Sequence, residues 1–247
     1  MMQVYKIGGN ELDDPAFVSG LAQAVFASAE AVVLVHGGGK AINQLQDRLG
    51  LPVQKVQGQR VTDPAAMQVV EMVLCGQSNK LLVRALAGVG VPAVGISGQD
   101  GNLLRCEKLL SPAGDLGFVG RVTACQPAIL HTLLENGFTP VVSPVSLSAE
   151  LQPYNINADE AASAIAGALH TGLTFISNVP GVLHAGNVLP SLNRSQVDDL
   201  IAQGVITDGM IPKVQAALAA LERGATTARL VNLAGVNSGG GTVFVRD

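Results

Sequence analysis

The chain has 247 residues, of which 48% are apolar and 3% aromatic, with no tryptophan and a formal charge of −4 at pH 7. That length and apolar content support a sizeable core, as one large α/β domain or two closely joined lobes. The acidic balance, the lack of a Lys/Arg cluster and the shortage of aromatics exclude a nucleic-acid platform.

The chain contains no run of about 20 apolar residues, so no membrane span is expected. MMQVYKIGGN reads as a strand entering a loop, not as a signal peptide. Cys75, Cys106 and Cys125 are odd in number and lack a CxxC spacing. They read as buried reduced thiols of a cytoplasmic protein.

In chain order, VYKI (4–7) reads as a strand, and residues 15–29 carry apolar side chains at helical spacing. AVVLVH (31–36) is a continuous apolar run, as in a strand buried on both faces. A helix is expected over 40–50, ended by Gly50. A long helical stretch follows over 64–90, with a possible break near Gly76. Strands are expected at 92–97, 138–146, 173–179, 228–233 and 241–245. Helices are expected at 125–137, 158–170, 195–204 and 210–224. GFVGRV (117–122) and LHAGNVL (183–189) suggest inserted hairpins. The alternation predicts an α/β fold: a three-layer αβα sandwich around a mainly parallel open sheet. A lobe boundary is expected near Leu173, giving lobes of 1–172 and 173–247.

Ligands of open α/β sheets bind at the carboxyl ends of strands. Glycine loops fall there: Gly8-Gly9, Gly37-Gly38-Gly39 and Ser97-Gly98. Three consecutive glycines cost conformational entropy, so they need a structural or chemical reason. Neither familiar phosphate loop fits. Gly39-Lys40 is followed by Ala41 where a Walker A motif needs Ser or Thr. Residues 88–93 match GxGxxA but lie between a helix and a strand, where a helix stop and a turn suffice.

What remains is a set of dispersed polar residues. Lys6 interrupts the first strand, and such a lysine either snorkels at an edge or points into a site. Arg60 in GQRVTD is either a surface residue or a bidentate partner for a carboxylate, while Asp63 reads as a helix cap. NINAD (155–159) opens a helix, where Asn155, Asn157 and Asp159 either cap or meet an anion. Lys213 lies one turn into a helix and opposes its dipole unless an anion sits nearby. His36 precedes the glycine triplet and reads as packing or loop support.

Together these strings resemble the amino-acid kinase family, and within it the branch that phosphorylates N-acetyl-L-glutamate. They are KIGG (6–9), VHGGG (35–39), GQRVTD (58–63), GISGQDG (95–101), DLGFVGRV (115–122), NINAD (155–159), SNVPGV (177–182), GVITDGMIPKV (204–214) and the closing GT (241–242). They stand in the family's order over nearly the whole chain. The resemblance implies transfer of the γ-phosphoryl of ATP to the substrate's side-chain carboxylate, in the second step of arginine biosynthesis. It implies that Lys6 and Lys213 stabilise the transferring phosphoryl and that Asp159 organises them. Gly8, Gly9 and Gly38 would hold phosphate; Gly38 and Gly39 would approach the acceptor. Arg60 would clamp its α-carboxylate, with Asn155 and Asn157 on the acylated amino acid. Nucleotide contacts are implied for Ser177, Asn178, Gly181, Gly209 and Met210. Mg²⁺ would ride on the nucleotide without dedicated protein ligands. Asn178 stands where many members carry aspartate, and SNVPG also occurs in relatives acting on carrier-linked aminoadipate or glutamate. The compact GQRVTD favours the free acetylated substrate over that alternative, and retention of both lysines favours it over a non-catalytic regulator. Family members inhibited by arginine carry an extra N-terminal helix. Here the first strand begins within four residues of Met1, so a homodimer without strong arginine feedback is expected, with 67–83 as the candidate dimer helix.

Overall fold

The computed structural model describes every residue except 1, 57, 58, 113 and 208. β1 (Met2–Ile7) is joined to β2 (Ala31–His36) by α1 (Pro15–Phe26). Pro15 takes the first helical position, where no N–H is needed, and Asp14 caps the helix by accepting from the Ala16 N–H. α2 (Gly39–Arg48) leads to the short strands β3 (Lys55–Val56) and β4 (Gln59–Arg60). α3 (Pro64–Glu71) is capped as expected, with the Asp63 carboxylate accepting from the Ala66 N–H at 2.8 Å. It passes into a π-helical stretch, Met72–Ser78, and then into α4 (Asn79–Gly88). The expected break near Gly76 is therefore a change of helical pitch.

β5 (Ala93–Ser97), β6 (Leu104–Lys108), β7 (Val119–Cys125), α5 (Ala128–Glu135) and β8 (Thr139–Ser143) follow. β9 (Val145–Leu147) and β10 (Pro153–Ile156) precede α6 (Ala158–Ala168) and β11 (Gly172–Ser177). The small strands β12 (Leu183–His184), β13 (Asn187–Val188) and β14 (Ser191–Leu192) lead to α7 (Arg194–Ala202) and α8 (Met210–Glu222). β15 (Ala228–Asn232) and β16 (Thr242–Phe244) complete the chain. The single strand expected over 138–146 divides at Pro144, which lacks a ladder donor; β8 stays in the large sheet and β9 leaves it.

The large sheet has eight strands in the order β14-β16-β15-β11-β1-β2-β8-β5. The six strands from β15 to β5 run parallel, and β16 pairs antiparallel with β15. Alternation along β2 builds both faces. Val33 and Val35 pack with Ala161, Ile165, Val214 and Leu218 of α6 and α8. Val32 and Leu34 pack with Leu21, Val25, Leu82 and Leu86 of α1 and α4. This is the expected three-layer sandwich. β11 pairs with β1 over five residues, so the sheet runs unbroken across residue 173.

The hairpin expected near 117–122 is part of a closed barrel of β10, β7, β6 and β9. Its closure depends on non-local pairs such as Asn155 with Val119 and Arg105 with Leu147, which leave no periodic mark in the sequence. Ser97-Gly98 also differs from expectation. β5 is the far edge of the sheet, and Gly98 is a joint to the barrel: a Cβ there would lie 2.7 Å from Ser146 Oγ.

β11, β1 and β2 are neighbours, so their carboxyl ends bring Ser177, Ile7 and His36 side by side. His36 is fully buried, and burial pushes its pKa down to about 4. A histidine that titrates near 6.5 unfolded and near 4 folded gives its full stability above the unfolded value. That stability is lost as pH falls from 6.5 towards 4, because the unfolded chain takes up the proton first. Chemical denaturation at pH 7 and pH 5 should show about 2 kcal/mol more loss in the native chain than in His36→Gln.

Candidate functional site

A cavity of about 530 Å³ lies over these strand ends. Lys6, on β1, reaches it with its ammonium 2.7 Å from Asp159 Oδ1; the two side chains are 15% and 22% exposed. Asp159 stands in the first turn of α6, where the helix dipole favours a carboxylate. Asn157 is the cap of that helix, accepting from the Asp159 N–H at 2.7 Å. Capping uses its amide oxygen and not its NH2, and the residue lines the cavity, so cap and ligand roles are compatible. Asn155 also lines the cavity and donates to Thr62 Oγ1 at 3.4 Å.

Lys213 enters from the start of α8 and donates to Ser177 Oγ at 2.7 Å. The Ser177 hydroxyl donates in turn to Asn178 Oδ1 at 3.2 Å. Among the described residues no carboxylate pairs with Lys213, so Asp159 engages Lys6 and leaves the second lysine to a hydroxyl. α6 and α8 pack closely enough that a Cβ at Gly167 would lie 2.2 Å from the Arg223 carbonyl oxygen, which fixes the two helices that carry Asp159 and Lys213.

Arg60 stands on the opposite wall. Its guanidinium donates to Gln46 Oε1 at 2.6 Å, to the Gly39 carbonyl at 3.0 Å and to Asn43 Oδ1. All three acceptors are neutral, and among the described residues no carboxylate pairs with it. Burial pushes its pKa below the ordinary value, yet a guanidinium stays charged in proteins. A cation held by neutral acceptors keeps its charge available to an anion.

The glycines line the floor. None of Gly8, Gly9, Gly37, Gly38 or Gly39 has positive φ, so backbone freedom is not their reason. Space is. A Cβ at Gly9 would lie 2.4 Å from the Gly38 amide nitrogen, and one at Gly38 would lie 2.6 Å from Leu74 Cδ2. The two loops therefore touch backbone to backbone. A Cβ at Gly39 would meet no atom within 4 Å and would project into open space beside the cavity.

A second cavity of about 620 Å³ adjoins the first and shares Arg60, Asn155, Asn157 and Asp159 with it. Its outer wall carries Arg121 and Arg223, paired with Glu107 at 2.5 Å and Glu160 at 3.0 Å.

Lys6, Gly8, Gly9, Gly38, Gly39, Arg60, Asn155, Asn157, Asp159, Ser177, Asn178 and Lys213 thus meet around one cavity. Gly181, Gly209 and Met210 do not line it. Gly181 packs beneath Val188 and Thr242, and Met210 packs against the core. Sequence reasoning missed Asn10 and Glu11, which line the cavity, and the Asn43 and Gln46 cradle of Arg60. The available signal was a pair of amides at i and i+3 on α2, one face of one helix. Among the described residues no cluster of three or more potential metal ligands is present. The thiols are free; Cys106 is buried as expected, but Cys75 and Cys125 are half-buried, and burial pushes Cys106 and Cys125 up to about 12, favouring the protonated thiol.

The family model described as "Amino acid kinase family" matches residues 1–232. The acetylglutamate kinase of Chloroflexus aurantiacus is 52% identical over 241 residues, covering 97% of this chain and 95% of that protein. The acetylglutamate kinase of Chloroflexus aggregans is 52% identical over 246 residues, covering 99% and 96%. Among solved structures, smu.665 from Streptococcus mutans superimposes with a TM-score of 0.83 at 33% identity, covering 100% of this chain and 99% of that one. With matching sequence and fold, the chain belongs to the amino acid kinase family.

Proposed function

We propose that this chain transfers the γ-phosphoryl of ATP to the side-chain carboxylate of N-acetyl-L-glutamate, giving an acyl phosphate, in the second step of arginine biosynthesis. One observation carries the reading: Lys6, Lys213 and Arg60 converge on one cavity with, among the described residues, a single carboxylate in direct contact with them. Relatives 52% identical and named acetylglutamate kinase support the choice of acceptor.

The chemistry needs no general base. A glutamate-like carboxylate has a pKa of about 4.3 and is already ionised at neutral pH. His36 is fully buried and is not among the residues that line the cavity. The barrier is the meeting of two anions. At an effective dielectric of about 20, two unit charges about 4 Å apart repel by about 4 kcal/mol. Lys6 and Lys213 offset that repulsion at the transferring group, and the glycine N–H groups bind its oxygens. Arg60 holds the acceptor's α-carboxylate, and Asn155 and Asn157 hold its acylamino group. Asp159 keeps Lys6 extended into the cavity. Glu11 and Asp159 are carboxylates on the wall, which suits a magnesium ion held chiefly by the nucleotide's own phosphates. When bound, magnesium supplies further charge neutralisation. In this reading residues 1–172 bind the acceptor and 173–247 the nucleotide, with Ser177 and Asn178 at the phosphate end and Gly181, Gly209 and Met210 towards the adenosine. The chain works in the cytoplasm as a homodimer. Support for the dimer face comes from Met72, which is 54% exposed on the outer side of the long helix while Val69, Val70 and Val73 are buried.

With MgATP, hydroxylamine should trap an acyl phosphate from N-acetyl-L-glutamate but not from N-acetyl-L-aspartate or free glutamate. No product from any of the three would overturn the reading. Lys213→Ala should lower kcat by about 10²- to 10³-fold in steady-state assays, the scale of losing one preorganised charge stabiliser. A smaller effect on the KM for ATP is expected. Arg60→Lys loses the forked geometry, so the KM for the acceptor should rise about 10- to 100-fold with kcat nearly held.

A further inference from the structure

The polar residues beneath the glycine loop form a connected support. His36 ends β2 and directly precedes Gly37. Its Nδ1 lies 3.0 Å from the Gly37 carbonyl oxygen, and its Nε2 lies 3.3 Å from the Asn79 amide nitrogen. A carbonyl only accepts and an amide NH2 only donates, so the ring is neutral with its proton on Nδ1. Burial favours that neutral form. Asn79 is also fully buried. The NH2 has two hydrogens for three acceptors: one goes to the Val141 carbonyl at 2.8 Å, and the other is shared between His36 Nε2 and the Ile96 carbonyl, each at 3.3 Å. The loop is thereby tied, through one imidazole, to β8 and β5.

The π-helical stretch brings these groups together. An i→i+5 turn places both i+4 and i+5 beneath residue i. Leu74, Ser78 and Asn79 have that spacing. Leu74 Cδ2 and Ser78 Oγ lie 2.6 and 3.2 Å from where a Gly38 Cβ would stand, and Asn79 holds His36. The bare Cα of Gly95 lets Asn79 seat, since a Cβ there would lie 1.8 Å from Asn79 Oδ1.

We propose that the His36–Asn79 bridge is a positioning device for the glycine loop, setting the direction of the Gly37–Gly39 backbone and so acceptor binding and turnover without touching either substrate. The role rests on the kinase reading above. His36→Leu removes both ring contacts, His36→Gln keeps an acceptor towards Asn79, and Gly95→Ala displaces Asn79 from outside the cavity. Kinetics per folded molecule, with the fraction folded taken from circular dichroism, should show kcat/KM for N-acetyl-L-glutamate down about 10²-fold in His36→Leu, the scale of a misplacement of about 1 Å. His36→Gln should restore at least tenfold of that loss, and Gly95→Ala should reproduce the defect. Amide ¹⁵N shifts of Gly37–Gly39 should move in His36→Leu and Gly95→Ala and return towards native values in His36→Gln. Unchanged kcat/KM and unchanged glycine shifts in folded His36→Leu and Gly95→Ala, or a His36→Leu defect that His36→Gln does not relieve, would overturn the proposal. An inactive native chain would refute the kinase reading instead, and the glycine shifts would still decide the bridge.

Discussion

An excess of positive over negative charge is the constraint on which this structure turns: among the described residues, Lys6, Lys213 and Arg60 share the cavity with Asp159 and Glu11. Lys6, Lys213 and Arg60 face one cavity, and their direct partners include one carboxylate, three neutral side chains with an amide or hydroxyl, and a backbone carbonyl. Like charges in a partly buried space repel, so each must be held by its own element. The lysines come from β1 and α8 and the arginine from β4, and the packing of α6 against α8 sets Lys213 relative to Asp159, the partner of Lys6. Such an arrangement costs folding free energy and is repaid when polyanionic ligands bind. The same charge that strains the free protein lowers the barrier between two anions.

The fold supplies the direction as well as the charge. Parallel strands put their carboxyl ends on one edge, so two glycine loops and the Ser177 strand end meet there. Missing Cβ atoms let the loops touch backbone to backbone. The small barrel adds Asn155 to the cavity wall. Each part needs the others, because a loop with no side chains takes its shape from what lies beneath it.

Much of this was legible in the sequence. A lysine inside an apolar strand, three glycines at a strand end, an arginine beside a helix cap and an asparagine pair opening a helix all lie against the cavity. Each breaks a local rule, and such breaks cluster at functional sites. The alternating strands and helices gave the sandwich and most element boundaries. What was hidden depends on tertiary contact. Barrel closure rests on single non-local pairs, and the split at Pro144 on which sheet each half joins. The partition of Asp159 to Lys6, with Lys213 on Ser177, is a matter of where two helices start in space. Gly181 and Met210, nucleotide contacts by the resemblance, do not line this cavity: Gly181 lies beneath Val188 and Thr242, and Met210 is half-buried against the core.

The most direct test of the account is a crystal structure with a non-hydrolysable ATP analogue, magnesium and N-acetyl-L-glutamate. The account predicts the γ-phosphate between Lys6 and Lys213, the acceptor's side-chain carboxylate against Gly38, and its α-carboxylate on Arg60. An acceptor seated instead in the neighbouring cavity beside Arg121 and Arg223, with Arg60 still bound to Gln46 and Asn43 alone, would contradict it.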